Sequence, residues 1–294
     1  MVPSDDPRWI RRERAACDEM VILQASPSPL PLQGLHDVTT QISHLDKGGV
    51  LDAEALLRVA KNIGVAARVR SYLDNLNVGE TYPELASRTG GLVRLSGPLA
   101  MIERVVGPDG EVRDGASDEL GRIRSLLRRT RDRIQNHLES VLQGSEYERA
   151  LRERVVTIRN GRYVIPVKQD FRGAIRGVTQ GQSSSGLTVF VEPLPVVDMN
   201  NELHALLGDE DREIARILAA TSDALREHAH DLRANADALT ELDFVRAKAN
   251  YSLEYKCRAP NIRDTAYIDM RQATRMREFV PQRRLSIRQT IDGK

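Results

Sequence analysis

The chain has 294 residues, 40% of them hydrophobic and 29% charged, with a formal net charge of +1. This excludes disorder throughout, and the 4% aromatic content argues against a large sheet sandwich. A near-neutral average field also means that any attraction to nucleic acid has to come from a local patch.

Cys17 and Cys257 lie far apart, without the CxxC spacing of a zinc or redox site. No apolar run approaches the roughly 18 residues of a membrane span, and Met1 to Asp6 has no signal-peptide character. The expectation is a cytoplasmic protein with no membrane partner.

In chain order, Pro7 to Leu23 predicts a helix, and Ala25-Ser26-Pro27-Ser28-Pro29-Leu30-Pro31 a connector, because prolines lack an amide donor. After Gly48-Gly49-Val50-Leu51-Asp52, residues Leu56, Leu57, Ala60, Ile63, Gly64, Ala67, Val69 and Leu73 recur at helical spacing. Leu99 to Val106 predicts another helix. Gly107-Pro108-Asp109-Gly110 then turns the chain into the strand-like Glu111-Val112-Arg113.

From Ser117 a long helix is expected, with Ser117 as N-cap and Asp118 and Glu119 where the helix dipole favours acids. Leu120, Leu127, Ile134 and Val141 recur every seven residues, with Ile123, Leu126, Thr130 and Leu138 beside them. Such a seam requires a partner helix. The partner runs from after Pro195 to about Cys257; if unbroken, its roughly 60 residues would reach on the order of 90 Å. Its stripe of Leu207, Ile214, Leu218, Leu225, Leu232, Leu239 and Leu242 is interrupted by Thr221, His228 and Asn235, which predicts imperfect packing or local bends.

Between the two helices the pattern is β. Arg154 to Arg159 and Arg162 to Lys168 flank Asn160-Gly161, a strong hairpin signal. Ala174 to Thr179 and Leu187 to Glu192 form a second pair around Gly181 to Gly186, and Pro166 predicts an edge or bulged strand. The fold class is mainly α: a long antiparallel helical lever with a small antiparallel β module inserted at its tip.

This tip holds the charge asymmetry. From residue 152 to 191, Arg152, Arg154, Arg159, Arg162, Lys168, Arg172 and Arg176 stand against Glu153 and Asp170. Basic side chains on a small sheet, next to the hydroxyls and amides of Ser183, Ser184 and Ser185, suit phosphate contacts that position without reading sequence. Charge alone leaves a merely solvated sheet surface open.

Catalytic patterns fail. Gly181 to Gly186 lacks the second glycine of G-x-S-x-G, and no Walker A loop is complete, Gly293-Lys294 included. His228 and His230 point to different faces of a helix, and Asp209-Glu210-Asp211-Arg212-Glu213 reads as a solvated charged face. No catalytic, metal or cofactor site is predicted.

Arg159-Asn160-Gly161-Arg162-Tyr163-Val164-Ile165-Pro166-Val167-Lys168, Gln182 through Pro193, and Asn200-Asn201-Glu202-Leu203 closely resemble the MutS type 2 family. Lys47 to Asp52, Gly110 to Asp114 and Glu241 to Phe244 extend the resemblance to roughly Pro3 to Gln272. It implies an N-terminal helical core region (1–116), an outgoing lever helix (117–153), a β clamp module (154–194), a long returning lever helix (195–258) and the start of a connection to an ATPase domain (259–294).

It also implies a clamp that closes on duplex or branched DNA, and a homodimer in the full-length protein. Family members are ATP-dependent ATPases and endonucleases that suppress homologous recombination, and also engage collided ribosomes. The Ala-Arg-His-Pro-Leu run expected before the ATPase is replaced by Ala273-Thr274-Arg275-Met276-Arg277. ATP, magnesium and nuclease chemistry are therefore expected of the family's other domains, and this chain is expected not to be an enzyme. Three functions follow: a non-catalytic DNA-binding clamp and lever; a ribosome- or rRNA-binding module; and a structural dimerisation arm.

Overall fold

The computed structural model describes residues 5–260 apart from residue 77. It is mainly helical with one four-stranded sheet. Helix α1 (Pro7–Gln24) starts where Asp6 accepts from the Arg8 amide at 2.9 Å, with Pro7 in the first turn, where its missing N–H costs nothing. Two short helices, α2 (Thr39–Asp46) and α5 (Pro83–Thr89), escape the periodicity reading, because each offers only two buried residues. Helices this short are stable only when packed.

Helix α3 (Ala53–Asn75) is capped by Asp52, which accepts from Ala55 N at 2.7 Å, and buries Leu56, Ala60, Ile63, Val69 and Leu73 as the spacing predicts. The single turn α4 (Val78–Thr81) and α6 (Ser96–Val105) follow. After α6, the expected strand at 111–113 is one bridge, Val106 to Val112.

Helix α7 (Asp118–Gln143) begins at the predicted cap: Ser117 Oγ accepts from Leu120 N at 3.0 Å. Its seam of Leu120, Ile123, Leu127, Thr130, Ile134 and Leu138 is buried against an antiparallel partner, α8 (Leu194–Arg226). The root of this pair is tied by Arg124, which donates to Glu210 Oε1, Asp114 Oδ1 and Val112 O, each at 2.7 Å.

The returning helix is not continuous. It breaks at Glu227 and His228 into α8 and α9 (Ala229–Glu254), so no single rod on the order of 90 Å exists. The two halves pack differently. α8 lies along α7 and the sheet, whereas α9 packs on α1, α2, α3 and α5.

The polar interruptions of the stripe explain why. Ser222 Oγ accepts from Leu51 N at 2.9 Å. Asn235 accepts from Val93 N at 2.7 Å and donates to Val93 O at 3.0 Å. Thr221 bonds back to Ile217 O at 2.8 Å, a local bond that bends helices. Ser222 and Asn235 thus supply partners to loop peptides that have no strand or helix neighbour to bond.

The tip sheet has strand order β1-β2-β4-β3, all antiparallel, from β1 (Thr157–Arg159), β2 (Arg162–Lys168), β3 (Gly177–Gln182) and β4 (Thr188–Pro193). Asn160 and Gly161 both take positive φ, as a tight hairpin turn requires.

The expectation that Pro166 marks an edge or bulged strand is wrong: β2 is internal, and the bulge lies in β3 opposite β4, between Thr179 and Gly181. The proline is accommodated because residue 166 turns its backbone groups away from β4. Its carbonyl accepts from Arg152 N at 3.0 Å, so the absent N–H falls on the side where β1 no longer pairs. Ile165, Val167, Val189 and Val191 form the row that packs with Leu138, Leu142, Val196 and Leu203 of the lever.

Candidate nucleic-acid interface

The second row of the sheet holds Val164, Pro166, Phe190 and Glu192, and it is buried as well. The sheet covers part of this row itself. Asn160 Nδ2, in the β1–β2 turn, donates to Gln180 O of β3 at 3.2 Å, bringing the opposite edge strands together. Arg159 lies over the Phe190 ring, its guanidinium carbon 4.2 Å from the centroid.

Glu192 is 0% exposed, and a carboxylate so buried requires partners. It has three. Arg162 Nη1 and Asn200 Nδ2 donate to Oε1 at 2.7 and 2.8 Å, and Gln180 Nε2 donates to Oε2 at 2.5 Å.

Asn200, in the second turn of α8, also accepts from Tyr163 N and donates to Tyr163 O, both at 3.1 Å. It occupies the place of a strand neighbour where β4 has given way to helix. Arg162 Nη2 reaches Asn201 Oδ1 at 2.6 Å. The family-like blocks around Arg162, Glu192 and Asn200 are therefore one joint that fixes the sheet to the lever.

The sequence-predicted contact residues accordingly separate. Arg162 is committed inward to Glu192 and Asn201. Lys168 donates to Arg149 O at 3.0 Å. Arg172 and Arg176 are exposed, and neither side chain has an ion pair or hydrogen bond among the described residues. Arg152 and Arg149 are free in the same sense, while Arg154 pairs with Glu148 at 2.6 Å.

The serine turn is partly self-satisfied. Ser183 Oγ accepts from Thr188 N at 3.2 Å and lies 3.3 Å from Ser185 Oγ, leaving Ser184 and Ser185 exposed. Lys168, Arg172 and the serines share the strand end opposite the one from which α8 leaves; Arg159 and Arg162 flank the β1–β2 turn.

Sequence reasoning misses Arg149, just outside the basic window, and the structural duty of Glu192. An acid ending an otherwise apolar strand run, with an arginine in a neighbouring strand, is the signal that points to it. Among the described residues no group of His, Cys, Asp and Glu could hold a metal ion, and no helix is long and apolar enough to cross a membrane.

No family model matches the chain. Curated relatives do. It is 37% identical over 274 residues to the Endonuclease MutS2 of Geobacillus sp. (strain WCH70), covering 93% of this chain and 35% of that protein. It is 39% identical over 273 residues to the Endonuclease MutS2 of Pelotomaculum thermopropionicum, covering 92% and 34%. For the Endonuclease MutS2 of Halalkalibacterium halodurans the identity is 34%, covering 92% and 35%. The chain therefore matches the MutS type 2 family along more than nine-tenths of its own length and spans about a third of the length of the relatives it matches.

Proposed function

We propose that this chain is the lever and clamp part of a MutS2-type protein and that its tip sheet binds the DNA backbone. The observation that carries the reading is the set of exposed cations on the sheet and its approach, Arg149, Arg152, Arg172 and Arg176, which have no ion pair among the described residues, on a module anchored to a helix pair. Arg159 and Lys168, each held by a single weak tie, complete the surface. Arg162 serves this function indirectly, by fixing the sheet to α8. The Ser184 and Ser185 hydroxyls add neutral phosphate contacts.

No chemistry is asked of these residues. Their work is to position a polyanion while α7 and α8 transmit movement along the lever. In the whole protein, ATP hydrolysis, nuclease action and dimerisation belong to other parts, as the relatives' length allows.

The test is binding of linear and branched duplex DNA as a function of salt, with ribosomes as a parallel ligand. Replacing Arg159, Lys168, Arg172 and Arg176 by alanine should weaken binding to every DNA sequence and reduce the salt slope by about one for each phosphate that is no longer neutralised. Unchanged affinity and slope would refute the assignment. Ribosome binding that survives salt sufficient to strip DNA would replace it with the translational reading.

A further inference from the structure

The cationic strand end carries two large apolar side chains that the fold leaves in solvent. Phe171 is 41% and Leu187 59% exposed. They are neighbours by construction: Gln169 N donates to Leu187 O at 3.0 Å, and Phe171 closes the 3-10 turn that Gln169 begins. Isolated exposed apolar residues are ordinary. These two lie at the same strand end, which also carries Lys168, Arg172 and the serine turn, with Arg149 and Arg152 close by through the Lys168–Arg149 and Arg152–Pro166 bonds. The acids nearest in sequence are Asp170, Glu153 and Glu148, the last paired with Arg154, so positive charge prevails.

We infer that Phe171 and Leu187 are an apolar wedge that meets the base faces of DNA where the duplex is interrupted. This rests on the DNA-binding reading above and adds a preference to it. A fully paired duplex offers phosphates to the cations but hides its base faces in the stack. A gap or frayed junction exposes them, and an aromatic ring flanked by cations then gains stacking as well as charge neutralisation. Stacking on one base is worth roughly 1–3 kcal/mol, which corresponds to about a 5- to 150-fold change in affinity. Neither side chain is buried, so substitution there leaves the sheet's core rows and the Glu192 joint untouched.

The experiment compares the whole chain on a linear duplex and on the same duplex with a short single-stranded gap, in DNA and in RNA, with anionic vesicles as a third probe. The parent should prefer gapped over linear DNA by about tenfold. Phe171→Ser with Leu187→Ser should abolish that preference while holding linear-duplex affinity within about twofold, and Phe171→Trp should retain it.

A parent without gap preference, a double variant that keeps it, or a preference confined to RNA would each overturn the inference. So would vesicle binding tighter than gapped-DNA binding and lost in the same double variant. Failure of the underlying reading looks different: the parent would then bind neither duplex, even at low salt.

Discussion

The two halves of the returning arm, α8 and α9, are attached by the same device and surrounded by different chemistry. Near the start of α8, Asn200 brackets the Tyr163 peptide; in α9, Asn235 brackets the Val93 peptide. Asn62 of α3 does the same for His36, at 2.8 and 2.7 Å. In each case a buried carboxamide stands in for a missing backbone neighbour, so a loop or strand end is docked without an unsatisfied polar group.

Around α9, charged residues are largely consumed in pairs: Arg233 with Asp46, Lys248 with Glu13, and Arg246 with Asp243. Around the tip, Arg162 is consumed by a buried acid, while Arg149, Arg152, Arg172 and Arg176 face solvent. A shared joint thus serves a body that is closed upon itself and a tip whose cations remain available.

The largest effect expected is at the tip joint. Glu192→Ala removes the buried carboxylate that accepts from Arg162, Asn200 and Gln180, and breaking a buried ion pair costs about 3–5 kcal/mol. Urea unfolding should register this loss, and amide exchange at Tyr163 should accelerate first. A cost below about 1 kcal/mol would mean that the joint contributes little.

Next come the two asparagines. Asn200→Ala and Asn235→Ala should each cost about 2–3 kcal/mol, the penalty of unpaired buried backbone groups. The comparison is sharpened by location: Asn200→Ala should loosen the sheet alone, Asn235→Ala the packing of α9 on the body. Identical exchange patterns for the two would break it.

A smaller, pH-dependent effect belongs to the lever root. The guanidinium of Arg216 and the hydroxyl of Ser117, at 2.7 and 2.6 Å, hold the Glu213 carboxyl at about 2, from an ordinary 4.5. The ionised form is favoured in the folded state. Its stabilisation is therefore complete above about 4.5 and is lost as the pH falls toward about 2. Glu213→Gln should lower Tm at pH 6 and converge on the parent in acid; an equal deficit at both ends would contradict the assignment. Smallest of all, Arg172→Ala and Arg176→Ala should change stability by less than about 0.5 kcal/mol, since neither side chain has an ion pair or hydrogen bond to lose among the described residues.

Much of this architecture is legible in the sequence. The capped start of α7, its heptad seam and the Asn160-Gly161 hairpin each rest on a local rule that the structure obeys. The break at Glu227 and His228 is less readable. Thr221 and Asn235 appear as flaws in an apolar stripe, and only the fold supplies the backbone groups that Asn235 and Ser222, the neighbour of Thr221, satisfy.

Pro166 misleads for a related reason. A strand proline is excluded from a ladder only on the side its nitrogen faces, and that side depends on a register no local pattern reveals. The basic cluster is visible as a count, but its division into Arg162, turned inward, and Arg172 and Arg176, left in solvent, depends on Glu192 arriving from 30 residues away.

The most direct test of the central claim is the salt dependence of duplex DNA binding by the parent and by the variant lacking Arg159, Lys168, Arg172 and Arg176. The account predicts tight, steeply salt-dependent binding by the parent and a weaker, flatter dependence in the variant. Coincident curves would contradict it.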